Sequence, residues 1–484
     1  MDYEAIIGME VHAQLSVESK MFCRCSADII DQGPNSVVCP VCLALPGALP
    51  TINSRAVEYS FMAALALQCT VTEGQVWFDR KNYFYPDLPK GYQISQHSAV
   101  VGRDGHLAIT LNGVPKEIGI SDVHLEEDTA RLYHREEGAD RYTLVDFNRS
   151  GVPLLEIVSR PDMRSPEEAK TYLRELRKLL RYLGVSTGDL EAGSFRCEAN
   201  ISLRSRGSER LGNRVEIKNM NTFQAVEHAL QSEIERQTAI LLAGGKVEQQ
   251  TVGWRDELGR TEPQRLKEEA HDYRYFPEPD LPPFMVTTSW VDELSSLLPE
   301  LPAKKRERFA CEYGLPAYDV DLLTEDPLVA NYFEECVRQY LQPKTVSNWI
   351  TGELFRLLNL SGVEMAAVKV TPAQLAALLK MVDAGKINIS TGKSVLEEMF
   401  GSGRGAQEIT AEGDLAQISD VDELGSTVDR VLKDNPEAIS DYRVGKTQAL
   451  RFLVGQVMKA TRGKANPQMV NSMLADRLAE KGEG

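Results

Sequence analysis

The chain has 484 residues, 42% hydrophobic and 26% charged, with 54 Lys and Arg against 71 Asp and Glu for a net charge of −17. At roughly 150 residues per domain this length suits about three globular domains, and the balance excludes disordered, collagen-like and disulfide-scaffold classes. An acidic chain is no general polyanion binder, so contact with nucleic acid has to come from a local basic surface.

The N-terminus, Met1-Asp2-Tyr3-Glu4-Ala5-Ile6-Ile7-Gly8, carries neither a basic leader nor a long apolar run, and no stretch approaches the roughly 18 apolar residues of a membrane span. A soluble, cytoplasmic protein with no membrane contact is expected. Over residues 1–290, Gly, Pro and short apolar runs such as Ala5–Ile7, Val100–Val101, Leu107–Ile109 and Leu154–Val158 predict strands of a mixed sheet. Two long helices interrupt them. The first opens at Ser165 as N-cap, with Pro166 at the first position and Glu168 completing a capping box. Leu173, Leu176, Leu180 and Leu183 form its apolar face, and Gly184 closes it. Lys170, Arg174, Arg177, Lys178 and Arg181 cover much of the remainder, as a solvated face or an RNA-facing one. The second helix runs from about Thr222 to Leu242 and stops at Gly244-Gly245.

The Pro-rich stretch 276–283 ends this first unit. Residues 291–400 read as a helical domain. One helix has Thr371 as N-cap, Pro372 at its first position and Leu375, Leu378 and Leu379 on its apolar face; a short one spans Ser394 to Phe400. Gly401-Ser402-Gly403-Arg404-Gly405 reads as a flexible linker. Charge then splits: 12 acidic and 3 basic residues between 397 and 442, but 8 basic and 3 acidic from Arg443 to Gly484. A basic helical tail on an acidic chain points first to RNA, with membrane or protein contact as alternatives. The expected fold is α+β: a mixed-sheet domain over 1–290, a helical domain over 291–400, and a linker with a small all-α tail over 401–484.

Four of the eight cysteines fall within 20 residues, as Cys23-Arg24-Cys25 and Cys39-Pro40-Val41-Cys42. Two close pairs joined by a turn-rich loop suit a tetrahedral zinc site, with a disulfide pair as the alternative. Such a closed site would be structural. Cys69, Cys197, Cys311 and Cys336 are scattered and read as apolar filler.

In Gly8-Met9-Glu10-Val11-His12, a strand would turn Glu10 and His12 to one face, as a metal pair or a satisfied polar pair. The pattern strengthens beside His124-Leu125-Glu126-Glu127-Asp128, because like charges packed together commonly mark a cation. Glu198 and Glu216 sit in strand-like contexts, with Lys218 and Asn219 close behind. The segment from Asp79 to Gln93 combines three cations with four aromatics, either to stack a base and hold phosphates or as a packed aromatic loop. Gly445-Lys446-Thr447 ends like a phosphate loop, but Ser440 stands where the upstream glycine is required, so that motif is rejected. Nothing supports a Ser-His-Asp hydrolase.

The chain resembles the B subunits of bacterial aspartyl/glutamyl-tRNA amidotransferases. The resemblance is carried by Gly8–His12, Asp79 through Gln96, His124–Asp128, Asn148–Glu156, Ser194–Asn200, Val215–Asn219, His271 through Pro283, and the tail strings Phe452–Lys459 and Gly463–Pro467. It implies a cradle-shaped first domain, then a helical domain and a tail that touches tRNA. It also implies ATP- and Mg²⁺-dependent phosphorylation of the side-chain carboxylate of Glu-tRNA(Gln) or Asp-tRNA(Asn). Ammonia from an amidase A subunit then gives the amide, and a small C subunit joins A and B. On this resemblance Glu10, His12 and Glu127 stand closest to the magnesium, with Glu126, Glu198 and Glu216 in support. Lys218 would stabilise phosphate charge. Arg80, Lys81, Tyr83 and Tyr85 would bind nucleotide or the tRNA acceptor end. Lys446, Arg451, Lys459, Arg462 and Lys464 would face tRNA. Some members of that family lack the four cysteines, so the zinc is expected to be structural.

Overall fold

The computed structural model describes residues 3–138, 140–266, 273–413, 415, 421–444, 446, 448–461 and 464–480. The chain forms two units, Met1–Pro302 and Ala303–Gly484. The first is built on a nine-stranded sheet: β1 (Tyr3–Gln14), β2 (Thr70–Val71), β3 (Gly102–Leu111), β4 (Val114–Glu127), β5 (Pro153–Ser159), β6 (Phe195–Ser205), β7 (Val215–Lys218), β8 (Gln250–Arg255) and β9 (Arg260–Leu266). Their spatial order is β9-β8-β7-β6-β1-β5-β4-β3-β2. Of these neighbours only β7 and β8 run parallel, so the sheet is mixed as expected.

The central strand, β1, shows why the sheet has two unlike faces. Alternate side chains point opposite ways: Met9, Val11 and Ala13 are buried, while Glu10, His12 and Gln14 are half-buried. The apolar face packs into one large core with Leu173, Leu176 and Leu180 of α1 (Pro166–Tyr182) and Val226, Ala229 and Leu230 of α2 (Phe223–Leu242). Each helix begins where the sequence provides a cap. The Ser165 hydroxyl accepts from the Glu168 amide, and the Thr222 hydroxyl from the Ala225 amide. The expected capping box at α1 is only half made. The Glu168 carboxylate accepts from the Arg164 amide at 2.7 Å, one residue earlier than a box requires, and from Lys116.

Val100 and Val101 are buried but lie outside any strand; Val101 donates to the Val123 carbonyl and accepts from Thr72 as a crossing link. A separate hairpin, Arg131–Glu137 with Asp140–Asp146, stands apart from the main sheet.

Among its described residues the second unit is helical and has two apolar cores. One centres on Phe309, Phe333, Leu375, Leu378 and Leu379, the other on Leu424, Val428, Leu453 and Leu474. Thr371 heads its helix with a full capping box, the Gln374 side chain accepting from the Thr371 amide. The helix expected at Ser394 begins earlier, at Ile389, because Asn388 caps it by accepting from the Thr391 amide. The expected linker at 401–405 is instead a capped helix end. Gly401 and Ser402 finish that helix, Gly403 takes the left-handed conformation at φ 78°, and Ala406 and Ile409 return to the first of the two cores. Among the described residues no helix is long and apolar enough to cross a membrane.

Candidate active site

The half-buried face of the sheet gathers charged residues that are far apart in sequence. Strand register places His12 opposite Glu156, and Glu156 opposite His124. Glu10 lies opposite Glu198 and His12 opposite Arg196, and Asn200 lies opposite Glu216. All of these except His124 line a cleft of about 1040 Å³ with Glu126, Asp128, Lys218, Lys81 and Tyr83.

Two acidic clusters stand on this face, each with its ligand atoms within 4.8 Å of one another: His12, Glu126 and Glu156, and Glu10, Glu198 and Glu216. In the first, His12 Nε2 is 3.6 Å from Glu126 and 3.4 Å from Glu156. Glu156 also accepts from His124 Nε2 at 2.7 Å, and His124 Nδ1 lies 3.1 Å from Asp122. Burial alone would discharge these imidazoles, but the facing carboxylates, Glu156 above all, reverse it. His12 is raised to about 9 and His124 to about 10. Burial and the neighbouring Glu156 charge push the Glu126 carboxyl up. Glu156 is driven well below the carboxylate range, since its two imidazoles outweigh its burial.

In the second cluster, Lys218 donates to both oxygens of Glu198 at 2.8 Å and lies 3.3 Å from Glu216. The Thr251 hydroxyl donates to Glu216 at 2.8 Å, and the Asn200 amide to Glu10 at 2.7 Å. Burial raises Glu198 against the pull of Lys218. Closely spaced carboxylates, with two of their number pushed up by burial, fit a divalent cation. Glu10, Glu198 and Glu216 offer the all-oxygen set that a hard ion takes; His12, Glu126 and Glu156 offer a mixed one. Cations flank both. Arg196 donates to Asp128 at 3.0 Å, which with Arg149 holds Asp128 below its ordinary range despite its burial. Lys81 Nζ lies 5.1 Å from the Tyr273 ring, which meets Tyr83 edge-on at 5.9 Å.

Three sequence-based expectations do not meet the others here. Glu127 is one residue out of phase with Glu126, so the pleat sends it to the opposite face. There it accepts from the Ile94 amide at 3.0 Å and pairs with Lys90 at 2.6 Å. Arg80 is out of phase with Lys81. It makes a bidentate pair with buried Glu278 at 2.7 Å and stacks 4.2 Å over Tyr92, which occupies its guanidinium. Tyr85 is 56% exposed and does not line the cleft. Conversely, Glu156 and Arg196 line the cleft although the sequence reading gives neither a site role, and Asp128, the last acid of the His124–Asp128 string, lines it as well. Glu156 is a lone acid in the apolar run Pro153-Leu154-Leu155-Glu156-Ile157-Val158, and that mismatch is the available signal.

All eight cysteines are free, which removes the disulfide alternative. The sulfurs of Cys23, Cys25, Cys39 and Cys42 lie within 4.8 Å of one another, and those of Cys39 and Cys42 are 3.9 Å apart. A tetrahedral ion with metal–sulfur bonds of about 2.3 Å needs sulfurs about 3.8 Å apart, so the set fits zinc. The Cys39 amide donates to Cys42 Sγ at 3.1 Å.

In the tail, the helix Gln448–Ala460 buries Leu453 and Val457 and exposes Arg451 and Lys459. Lys446 is exposed but paired with Asp441 at 2.8 Å, and Lys464 is half-buried. Arg462, Gly445, Thr447, His271 and Asp272 lie outside the described residues.

Two family models match the chain: the GatB/GatE catalytic domain over residues 5–292 and the GatB domain over residues 331–478. The B subunit of the aspartyl/glutamyl-tRNA(Asn/Gln) amidotransferase of Thermoanaerobacter pseudethanolicus is 51% identical over 480 residues, covering 99% of this chain and 100% of that one. The protein of that name from Moorella thermoacetica is 52% identical over 478 residues, again at 99% and 100% coverage. That from Thermodesulfovibrio yellowstonii is 49% identical over 480 residues.

Proposed function

Since this chain belongs to the family of aspartyl/glutamyl-tRNA(Asn/Gln) amidotransferase B subunits, we propose that it activates the side-chain carboxylate of Glu-tRNA(Gln) or Asp-tRNA(Asn) for amidation. The chain is a subunit of a tRNA-dependent amidotransferase, a carbon–nitrogen ligase. A carboxylate is a poor electrophile. Its oxygen attacks the γ-phosphorus of ATP, ADP leaves, and the acyl phosphate formed is attacked at carbon by ammonia, which expels phosphate and leaves the amide. Ammonia comes from a partner amidase A subunit, and a small C subunit joins the two.

The observation that carries this reading is the pairing of two carboxylate clusters with Lys218, Arg196 and Lys81 in one cleft. Magnesium, when bound, neutralises charge that develops on the transferring phosphoryl group. Glu10, Glu198 and Glu216, with His12, Glu126 and Glu156, are the residues that would hold it. Lys218 and Lys81 offer fixed positive charge to phosphate oxygens. Arg196, with its planar fork, suits the carboxylate of the substrate. Tyr83 and Tyr273 provide ring faces for a base. Zinc in the four-cysteine knuckle would be structural and do no chemistry. Arg451, Lys459 and Lys464 of the tail, with Arg462 and Lys446, would meet tRNA phosphates.

The test is amidation of Glu-tRNA(Gln) by the assembled complex carrying an inactivated amidase. Ammonium chloride replaces glutamine, with ATP and Mg²⁺ supplied and Glu10→Ala in parallel. Gln-tRNA formed by the unaltered complex and not by the variant supports activation in this chain. Equal product from both, or none from either with tRNA still bound, would make this subunit a tRNA-binding scaffold.

A further inference from the structure

Lys20 is fully buried, at 0% exposure. An ammonium taken out of water needs a compensating anion. Its Nζ donates to the Val37 carbonyl at 2.9 Å and the Phe147 carbonyl at 3.4 Å, neither of which carries net charge. Its third contact is Cys42 Sγ at 3.7 Å, and among the described residues no carboxylate pairs with it. The four-cysteine group is therefore the charge that makes burying Lys20 tolerable. Four thiolates around a divalent ion keep a net negative charge, which such a lysine would offset.

The same lysine bridges the knuckle to the loop over residues 146–153, and other bonds follow the same route. The Asn148 side chain accepts from the Val37 amide at 2.8 Å and donates to the Gly33 carbonyl at 2.7 Å. Asn35 Oδ1 accepts from the Phe147 amide at 2.7 Å, and the Gly151 carbonyl from the Met21 amide at 2.7 Å. At Gly151, where φ is +85°, an added Cβ would sit 3.6 Å from Lys20 and 3.7 Å from Cys42. The far side of the loop faces the cleft. Arg149 donates to the Thr129 and Ala130 carbonyls at 2.9 Å and lies 3.6 Å from Asp128. The Gly151 amide donates to the Asp128 carbonyl at 2.9 Å.

We propose that Lys20 is the charge partner of metal-bound thiolates and the post through which the four-cysteine knuckle holds the 146–153 loop, with Arg149 and Asp128, at the edge of the cleft. This rests on the metal reading of the knuckle and not on the amidotransferase reaction. Lys20 touches no substrate; it is a positioning residue. Loss of the ion would release the four sulfurs from one another, Cys42 among them, and the loop that Lys20 ties to them would loosen.

The experiment uses the full-length chain in its assembled complex, with zinc as the probe and no activity assay. Zinc per chain, the rate of zinc transfer to a chromogenic chelator and amide exchange at Met21, Asp128 and Gly151 are measured for wild type, Lys20→Met and chelator-stripped wild type. Lys20→Met should release zinc about 10- to 100-fold faster, the range expected for an outer-shell partner. Both it and the stripped wild type should exchange faster at those three amides, with α1 and β1 unchanged. Wild-type release from a folded Lys20→Met overturns the charge role. Unchanged exchange in the stripped wild type overturns the post role, and that measurement needs no variant to fold. A wild-type chain that holds no zinc overturns the metal reading and this proposal with it, while leaving the cleft chemistry to its own test.

Discussion

Glu126 and Glu127 are adjacent in sequence and stand on opposite faces of one strand. Glu126 joins His12 and Glu156 in the cleft, whereas Glu127 pairs with Lys90 behind it. Glu126→Gln should raise the magnesium concentration needed for half-maximal ammonia-dependent amidation by about 10-fold or more, in line with the loss of a ligand or of its close support. Glu127→Gln should leave that requirement within about 2-fold and act on stability instead, because it strands the half-buried Lys90. A magnesium titration of both variants decides it, and equal shifts would place the ion elsewhere. The sequence could be read as far as Glu10 and His12, since period-two spacing is local. It could not separate Glu126 from Glu127 without the strand phase, nor reveal Glu156, whose role follows from being flanked by His12 and His124 on two other strands.

At the scale of elements, ends with a self-contained chemical cause were legible: Ser165 and Thr371 cap where expected, and the helix expected from about Thr222 starts there. The segment 401–405 was not, because glycine-rich composition looks flexible until tertiary partners are known. Gln374 donates to the Gly403 carbonyl and Lys369 to that of Gly401, both at 2.9 Å, and these fix it. Between the helices Pro302–Tyr313 and Pro327–Gln339, Glu334 pairs with Lys305 at 3.1 Å and Arg308 at 2.7 Å. Burial alone would raise its carboxyl, but these cations hold it below the usual range. A depressed folded-state value means stability that is present above the unfolded carboxylate range, near pH 4.3, and lost as pH falls through the folded value. Glu334→Gln should therefore unfold more readily at pH 7, by about 1–3 kcal/mol. The gap to wild type should close as the medium becomes more acid than pH 4. Denaturant unfolding of the full chain at pH 7 and in acid reads this, and a gap independent of pH would mean the pair carries no charge-dependent stability.

Across the whole molecule, charge is distributed unevenly. A net −17 sits on a chain whose last 42 residues hold 8 basic and 3 acidic side chains. This imbalance was visible in the sequence because it needs no geometry. The structure adds that Arg451 and Lys459 are exposed on a helix whose other side, Leu453 and Val457, is buried, so neither can be replaced by core packing. Arg451→Ala and Lys459→Ala should each weaken tRNA binding and lower the slope of log affinity against log salt by about one unit. Filter binding of tRNA by the complex over a salt series measures this. A weakened affinity with an unchanged slope would assign the loss to something other than phosphate contact.

The alternation along β1 has a further consequence for how such a protein can change. Every second residue from Met9 to Ala13 belongs to the core and every other one to the cleft, so the strand behaves like a message with a two-letter reading frame. A substitution alters one letter. A single inserted or deleted residue inside β1 shifts the phase, turning Met9 and Val11 toward the solvent-filled cleft and Glu10 and His12 into the apolar core. Fold and chemistry would then fail together, whereas the same insertion in the surface turn at Asn112-Gly113, between β3 and β4, would leave both frames intact. The cleft face can thus drift by replacement but not by length, and changes in length are confined to the loops around it.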